Sequence, residues 1–152
     1  MNQLLGKVSN KILITGSSSF VGTALIKELS KNHHILCIDK KIVKKINLPN
    51  VKYFSSEIMN EKKLINIKNQ IEKKEKKIDI IINCFVDQNY LPFEKQTLKK
   101  FQNSITTNIC GTFLVTKTFY SLLKKSKDPQ IINFGSIYGL VSGDPKIYPN
   151  QK

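Results

Sequence analysis

The sequence predicts an α/β protein, a doubly wound parallel sheet of strand order 3-2-1-4-5 with helices on both faces. Three observations predict it. Short apolar runs rich in Ile and Leu recur along the chain without the polar alternation of a half-exposed strand. Between them, apolar residues return every three or four positions, the spacing of a helix face. Finally, Gly16, Asp39, Asn83 and Ser136 all fall at the carboxyl ends of the runs, where open parallel sheets bind their ligands.

The elements follow in order. Lys11-Ile-Leu-Ile-Thr15 is the first strand, stopped by Gly16. A serine-rich turn leads into a helix over Phe20–Lys31, with Val21, Leu25 and Leu29 on one face. His34–Ile38 is the second strand, closed by Asp39, and Val51–Phe54 the third. Asn60 caps a helix reaching Lys74, with Leu64, Ile67 and Ile71 as its stripe. Ile78–Asn83 is the fourth strand. A long helix from Leu98 to Lys125 carries Phe101, Ile105 and Ile109 in i, i+4 register, and Gln130–Phe134 is the fifth strand. From Gly135 to Lys152, Gly139, Gly143, Pro145 and Pro149 mark a loop. Right-handed crossovers between parallel strands then give the stated order.

Composition narrows the function. A chain of 152 residues suits one domain. The first ten residues lack the apolar stretch of a signal peptide, and Ile78–Val86 is too short to span a bilayer. A cytoplasmic protein without a membrane partner is expected. Cys37, Cys84 and Cys110 are scattered and form no CxxC pair, and the two histidines, His33 and His34, are adjacent. No metal site is expected, because zinc needs clustered ligands. The net charge of +14 comes from 25 basic residues, every one a lysine. Base-edge and phosphate recognition exploits the fork of Arg, so dispersed lysines without Arg argue against a specific nucleic-acid partner. They read as solvated helix faces.

The chemistry concentrates in Thr15-Gly-Ser-Ser-Ser-Phe-Val-Gly22, between a strand and a helix. A dinucleotide's pyrophosphate needs backbone N–H groups at close range and the positive end of a helix. Gly16 permits the tight turn, Gly22 close helix–strand packing, and Ser17, Ser18 and Ser19 supply amides and hydroxyls. Asp39 stands at the end of the second strand, near the spacing of about 20 residues at which a carboxylate meets the adenosine ribose. Such a carboxylate repels a 2′-phosphate, so NAD is expected ahead of NADP, against the pull of Lys40 and Lys41.

These residues together resemble the short-chain dehydrogenase/reductase family over nearly the whole chain. Thr15-Gly16 with Phe20-Val21-Gly22 is similar to that family's TGxxGF(I/V)G loop, with Ser19 where a glycine is usual. Glu57-Ile58 resembles the Asp-Val pair that contacts adenine. Asn83-Cys-Phe-Val86 stands where NNAG is usual and keeps its first residue, with bulky Phe85 and Val86 replacing small ones. Asn108-Ile-Cys-Gly-Thr112 resembles the NxxGT of the central helix, whose Asn joins a proton relay. Ile131-Ile-Asn-Phe-Gly-Ser136 resembles the fifth strand and its catalytic serine.

The resemblance implies a Rossmann-like fold in which Gly16, Ser17, Ser18, Ser19, Phe20, Val21, Gly22, Asp39, Glu57, Ile58 and Asn83 hold the cofactor. Ser136 and Asn108 would serve catalysis with a tyrosine and a lysine four residues on. Tyr148-Pro-Asn-Gln-Lys152 has that YxxxK spacing. It equally resembles an IYG…IY insertion that precedes the true pair in some relatives. Residues 1–152 are therefore read as a single NAD(P)-binding domain, truncated after the serine loop and lacking the family's C-terminal strands. The implied function is an NAD(P)-dependent oxidoreductase acting on a carbonyl or secondary alcohol. A small sugar derivative of surface-polysaccharide biosynthesis would be the substrate, and the full-length protein a homo-oligomer. The alternatives are a non-catalytic dinucleotide-binding module and, remotely, a basic nucleic-acid binder.

Overall fold

A computed structural model describes residues 9–43, 45–88 and 91–141. Five strands form one parallel sheet of order β3-β2-β1-β4-β5: β1 (Lys11–Thr15), β2 (His34–Asp39), β3 (Val51–Ser55), β4 (Ile80–Asn83) and β5 (Gln130–Asn133). The order is the one expected. Alternate residues of each strand project to opposite faces, and two cores result. Ile12, Ile14, Ile35, Cys37 and Ile82 pack with Ile26 of α1 (Phe20–Leu29). Leu13, Leu36 and Ile81 pack with Leu64, Ile67 and Ile71 of α2 (Glu61–Glu75) and with Val115, Phe119 and Leu122 of α4 (Gly111–Leu123).

Several expectations are adjusted. In α1 the buried line runs through Gly22 and Ile26, with Val21 exposed and Leu25 and Leu29 at the rim. β4 starts at Ile80. Asp79, just before it, is a buried tie whose carboxylate accepts the Lys11 N–H at 2.9 Å and the Ser126 hydroxyl at 2.5 Å. The long helix is interrupted: α3 (Leu98–Ile105), capped by Thr97, passes into a π turn at Thr106–Cys110 before α4. Its stripe of Phe101, Ile105 and Ile109 faces outward and is exposed, not packed on the sheet. α2 begins as expected, with Asn60 Oδ1 accepting the Lys63 N–H at 3.0 Å.

At the amino ends of the strands, Lys11 and Lys52 converge on Glu75. Burial raises the Glu75 carboxyl, but hydrogen bonds from Lys52 and Lys11 outweigh it and hold the pKa below the ordinary value. Asp79 behaves alike: burial raises it, and Lys77, Ser126 and the Lys11 amide bring it down further. Among the described residues, no helix is long and apolar enough to cross a membrane.

Candidate functional site

The turn from β1 into α1 shows why its glycines are needed. Gly16 has φ of 71°, a region that residues with a Cβ rarely adopt. A Cβ there would also lie 2.3 Å from the Phe85 amide nitrogen. At Gly22 a Cβ would lie 2.4 Å from the Gly16 carbonyl oxygen, so its absence lets α1 start directly against the turn. Ser19 caps the helix, its hydroxyl accepting the Gly22 N–H at 3.0 Å. Helix geometry leaves the N–H groups of Phe20 and Val21 without partners inside α1, at the positive end of its dipole.

Asp39 closes the other side. Its carboxylate accepts the Ser18 N–H at 2.9 Å and the Lys41 N–H at 3.2 Å. A carboxylate offers about four acceptor positions, so capacity for a ligand's hydroxyls remains. The Ser18 hydroxyl donates to the Lys41 carbonyl at 2.9 Å. Ser18 therefore fastens the turn to the end of β2, where the sequence cast it only as a ligand contact. Ser17 is buried, and its Oγ makes no hydrogen bond.

Between these parts lies a cleft of about 370 Å³. It brings together five residues expected from the sequence: Gly16, Ser19, Asp39, Glu57 and Ile58. It adds Lys40, Met59, Phe85, Val86 and Thr107. Phe85 and Val86 stand out in sequence as bulky residues where small ones are usual. Met59 and Thr107 carry no sequence signal beyond adjacency to Ile58 and Asn108. A second cleft of similar volume lies by the start of β3 and the end of α2, over Leu36, Tyr53, Phe54 and Ile71. Among the described residues, none that lines it belongs to a glycine turn or a helix start, so the first cleft is the candidate site.

Other candidates do not line this cleft. The Phe20 side chain is 92 % exposed. Asn83 is 4 % exposed and forms a buried ladder: its Oδ1 accepts the Thr15 hydroxyl at 2.7 Å and its Nδ2 donates to Asn133 Oδ1 at 2.8 Å. It ties three strand ends together. Asn108, in the π turn, brackets the backbone of Asp87, accepting its N–H at 2.8 Å and donating to its carbonyl at 3.1 Å. Ser136 is exposed, and its Oγ accepts the Tyr138 N–H at 3.2 Å. Tyr148 and Lys152 lie outside the described residues, as do Gly143, Pro145 and Pro149.

Burial pushes the Cys37 thiol up to about 12 and the Cys84 thiol up to about 11. Both stay protonated at neutral pH and pack as small apolar groups. Among the described residues, no cluster of His, Cys, Asp and Glu is placed to hold a metal ion.

A cradle that a Cβ would fill, a helix start facing it, and a carboxylate opposite make this cleft the candidate nucleotide site of an α/β protein. Comparison with known proteins is consistent with that class. The family model for short chain dehydrogenases matches residues 10–147. An uncharacterised oxidoreductase of Saccharomyces cerevisiae is 30% identical over 136 residues, covering 84% of this chain and 42% of the yeast protein. A short chain dehydrogenase from Leptospira borgpetersenii, solved with bound NAD+, superposes with a TM-score of 0.82 at 31% identity, over 91% of this chain and 56% of that one. The aldohexose dehydrogenase of Thermoplasma acidophilum shares the fold, with a TM-score of 0.77 at 17% identity over 85% of this chain and 50% of its own. The chain belongs to the short-chain dehydrogenase family. It spans about half the length of these relatives or less.

Proposed function

We propose that this chain binds a nicotinamide dinucleotide, NAD ahead of NADP, for an oxidoreductase acting on a carbonyl or secondary alcohol. The observation that carries the reading is the closed frame around the cleft, with Gly16 at φ 71° and the Ser18 amide joined to Asp39 at 2.9 Å. The Gly16–Gly22 turn and the start of α1 receive the pyrophosphate. Asp39 takes the adenosine ribose hydroxyls and repels a 2′-phosphate. Lys40 at the rim opposes that preference without removing it. The Leptospira relative's bound NAD+ supports the cofactor class, while a more distant neighbour of the same fold was solved with NADPH.

The bound cofactor supplies the nicotinamide that exchanges hydride. The chain's own part is to hold the dinucleotide, with Ser136 orienting the substrate oxygen. Asn108 is assigned to the proton relay through the backbone it brackets. Tyr148 with Lys152 is one candidate for proton transfer, and a later pair is the other. The sugar-derivative substrate, the homo-oligomer and the cytoplasmic location belong to this same reading.

Calorimetric titration of NAD+ and NADP+ tests it. NAD+ should bind at least about tenfold tighter, a difference of roughly 1.4 kcal/mol, and Asp39→Asn should narrow the gap. Equal affinity in the parent chain would remove the role given to Asp39. A Tyr148→Phe variant with undiminished NADH turnover would reject Tyr148 as the proton donor.

A further inference from the structure

The second cleft, between β3 and the end of α2, has no role in the account above. It holds about 370 Å³ and shares no lining residue with the nucleotide cleft. Its walls follow from the two elements that frame it. Residues of β3 alternate between the faces of the sheet. Lys52 reaches Glu75 of α2, and Phe54 packs against the core beneath that helix, so both side chains stand on the α2 face. Tyr53 packs into the opposite core. Leu36 is the β2 partner of Lys52 and belongs to the α2 core. On α2, Ile71 and Glu75 lie one turn apart and are buried. Gln70 and Lys74, also one turn apart, form the neighbouring row, with Lys73 beside them. The cleft therefore has an apolar floor of Leu36, Phe54 and Ile71 and a basic rim.

We propose that this cleft binds a small amphipathic anion, a medium-chain carboxylate whose alkyl chain lies along Leu36, Phe54 and Ile71 and whose headgroup meets Lys73 and Lys74. Such a site stands independently of the dinucleotide reading. Size is the first support, since small-molecule sites span about 300–1,000 Å³. Charge is the second. Three lysines and one carboxylate line the cleft. That carboxylate, Glu75, is already answered by Lys11 at 3.0 Å and by Lys52. Glu72, the other carboxylate in this half of α2, is held by Lys68 and Lys125. Among the described residues, Lys73 and Lys74 have no ion-pair partner. Lysine stems are the third: they lie along apolar surface while the ammonium stays in water, so they close over an alkyl chain and meet its charged end. The negative end of α2 attracts cations by itself, but it does not account for the apolar floor beside them. A neutral ligand would leave the rim unanswered, and inorganic phosphate would leave the floor unused.

The test titrates decanoate and decanol into the 152-residue chain by calorimetry. It then locates a decanoate carrying a diazirine at its chain end by photolabelling and peptide mass spectrometry. Decanoate should bind more tightly than decanol, and the label should fall within residues 52–54 and 70–75. Changing Lys73→Gln and Lys74→Gln together should weaken decanoate about threefold to tenfold, the scale of two exposed charge contacts. Decanol should be unaffected. Both lysines are exposed, so Tm without ligand should stay close to the parent's. Saturating NAD+ should leave decanoate affinity unchanged, because the two clefts share no lining residue. Absence of decanoate binding would overturn the site. So would label concentrated on the exposed stripe around Phe101 and Ile109, equal losses for both ligands in the double variant, or competition by NAD+.

Discussion

β4 and β5 are spelled almost alike, Ile80-Ile-Ile-Asn83 and Gln130-Ile-Ile-Asn133, and they pair residue for residue. Their surroundings differ. Ile81 is fully buried and Ile82 nearly so, whereas Ile131 and Ile132 each keep 42 % of their surface. β4 has β1 on its other flank, and α1 and α4 contribute to the cores on its two faces. β5 is the sheet's outer strand among the described residues. A continuous apolar run thus identifies a parallel strand without saying how well its faces are covered, since the cover is supplied from elsewhere. The outward stripe of α3 repeats the lesson for a helix: its spacing is that of a buried face, and its residues are exposed.

The largest effect should come where β4 is most crowded, at its carboxyl end. Gly16→Val places a branched side chain at φ 71° against the Phe85 backbone. Strain and overpacking together should cost about 4 kcal/mol in a urea melt. A loss below about 1 kcal/mol would show that the turn readily relaxes. Next is the paired substitution itself. Ile81→Ala should cost about 3 kcal/mol, and Ile131→Ala less than about 1.5. Equal losses would mean that β5 is covered in solution, and the contrast between the strands would disappear.

A smaller effect is expected at the opposite end of β4, from acid. Asp79 and Glu75 titrate below their ordinary values of 3.8 and 4.5 when folded. The native state therefore binds their protons less readily than the unfolded chain does. Their stabilisation is complete above the ordinary values and is lost as pH falls through the lowered ones. Asp79→Asn should lower stability at pH 7 by about 1–2 kcal/mol and flatten the decline below pH 4. A variant whose acid profile matches the parent's would mean that Asp79 is not part of it. The smallest effect should come from the exposed stripe that runs from α3 into the π turn: Ile109→Ser should change stability by no more than about 0.5 kcal/mol and reduce any self-association seen by sedimentation velocity. A large loss of stability would place that stripe in a buried contact.

Much of the fold is legible before any coordinates. The five strands, their order and the start of α2 follow from runs of Ile and Leu, from a capping Asn and from the handedness of crossovers. The π turn is not legible, because it leaves the spacing of Phe101, Ile105 and Ile109 looking like an unbroken helix. The site is legible where backbone conformation demands a residue type, as at Gly16 and Gly22. It is less so where a polar side chain can serve either a ligand or the protein. Asn83 reads from sequence as a cofactor contact, and its bonds to Thr15 and Asn133 show a structural role that the sequence does not announce. Ser18 reads as a phosphate ligand until its bonds to Asp39 and Lys41 are seen. The sequence did hold a clue to the ladder, an Asn closing each of two Ile-Ile runs, but which strands are neighbours has to be known before the clue can be read.

That ladder bears on how the sheet finds its alignment. The central strands are nearly uniform, with Ile12-Leu-Ile14 against Ile80-Ile-Ile82 and the latter against Ile131-Ile132. Sliding one strand past another by a residue would swap one branched aliphatic for another and, where two apolar runs lie side by side, forfeit little apolar contact. Pattern alone specifies such pairings weakly. The amides are less forgiving. A one-residue slip would set the Asn83 carboxamide beside Ile132 or Phe134 instead of Asn133, leaving polar atoms unpaired in an apolar layer at about 1–3 kcal/mol each. Thr15, Asn83 and Asn133 therefore act as a vernier on an otherwise unmarked scale. Misaligned sheets of this chain are penalised at the very end where Gly16 has to make its turn.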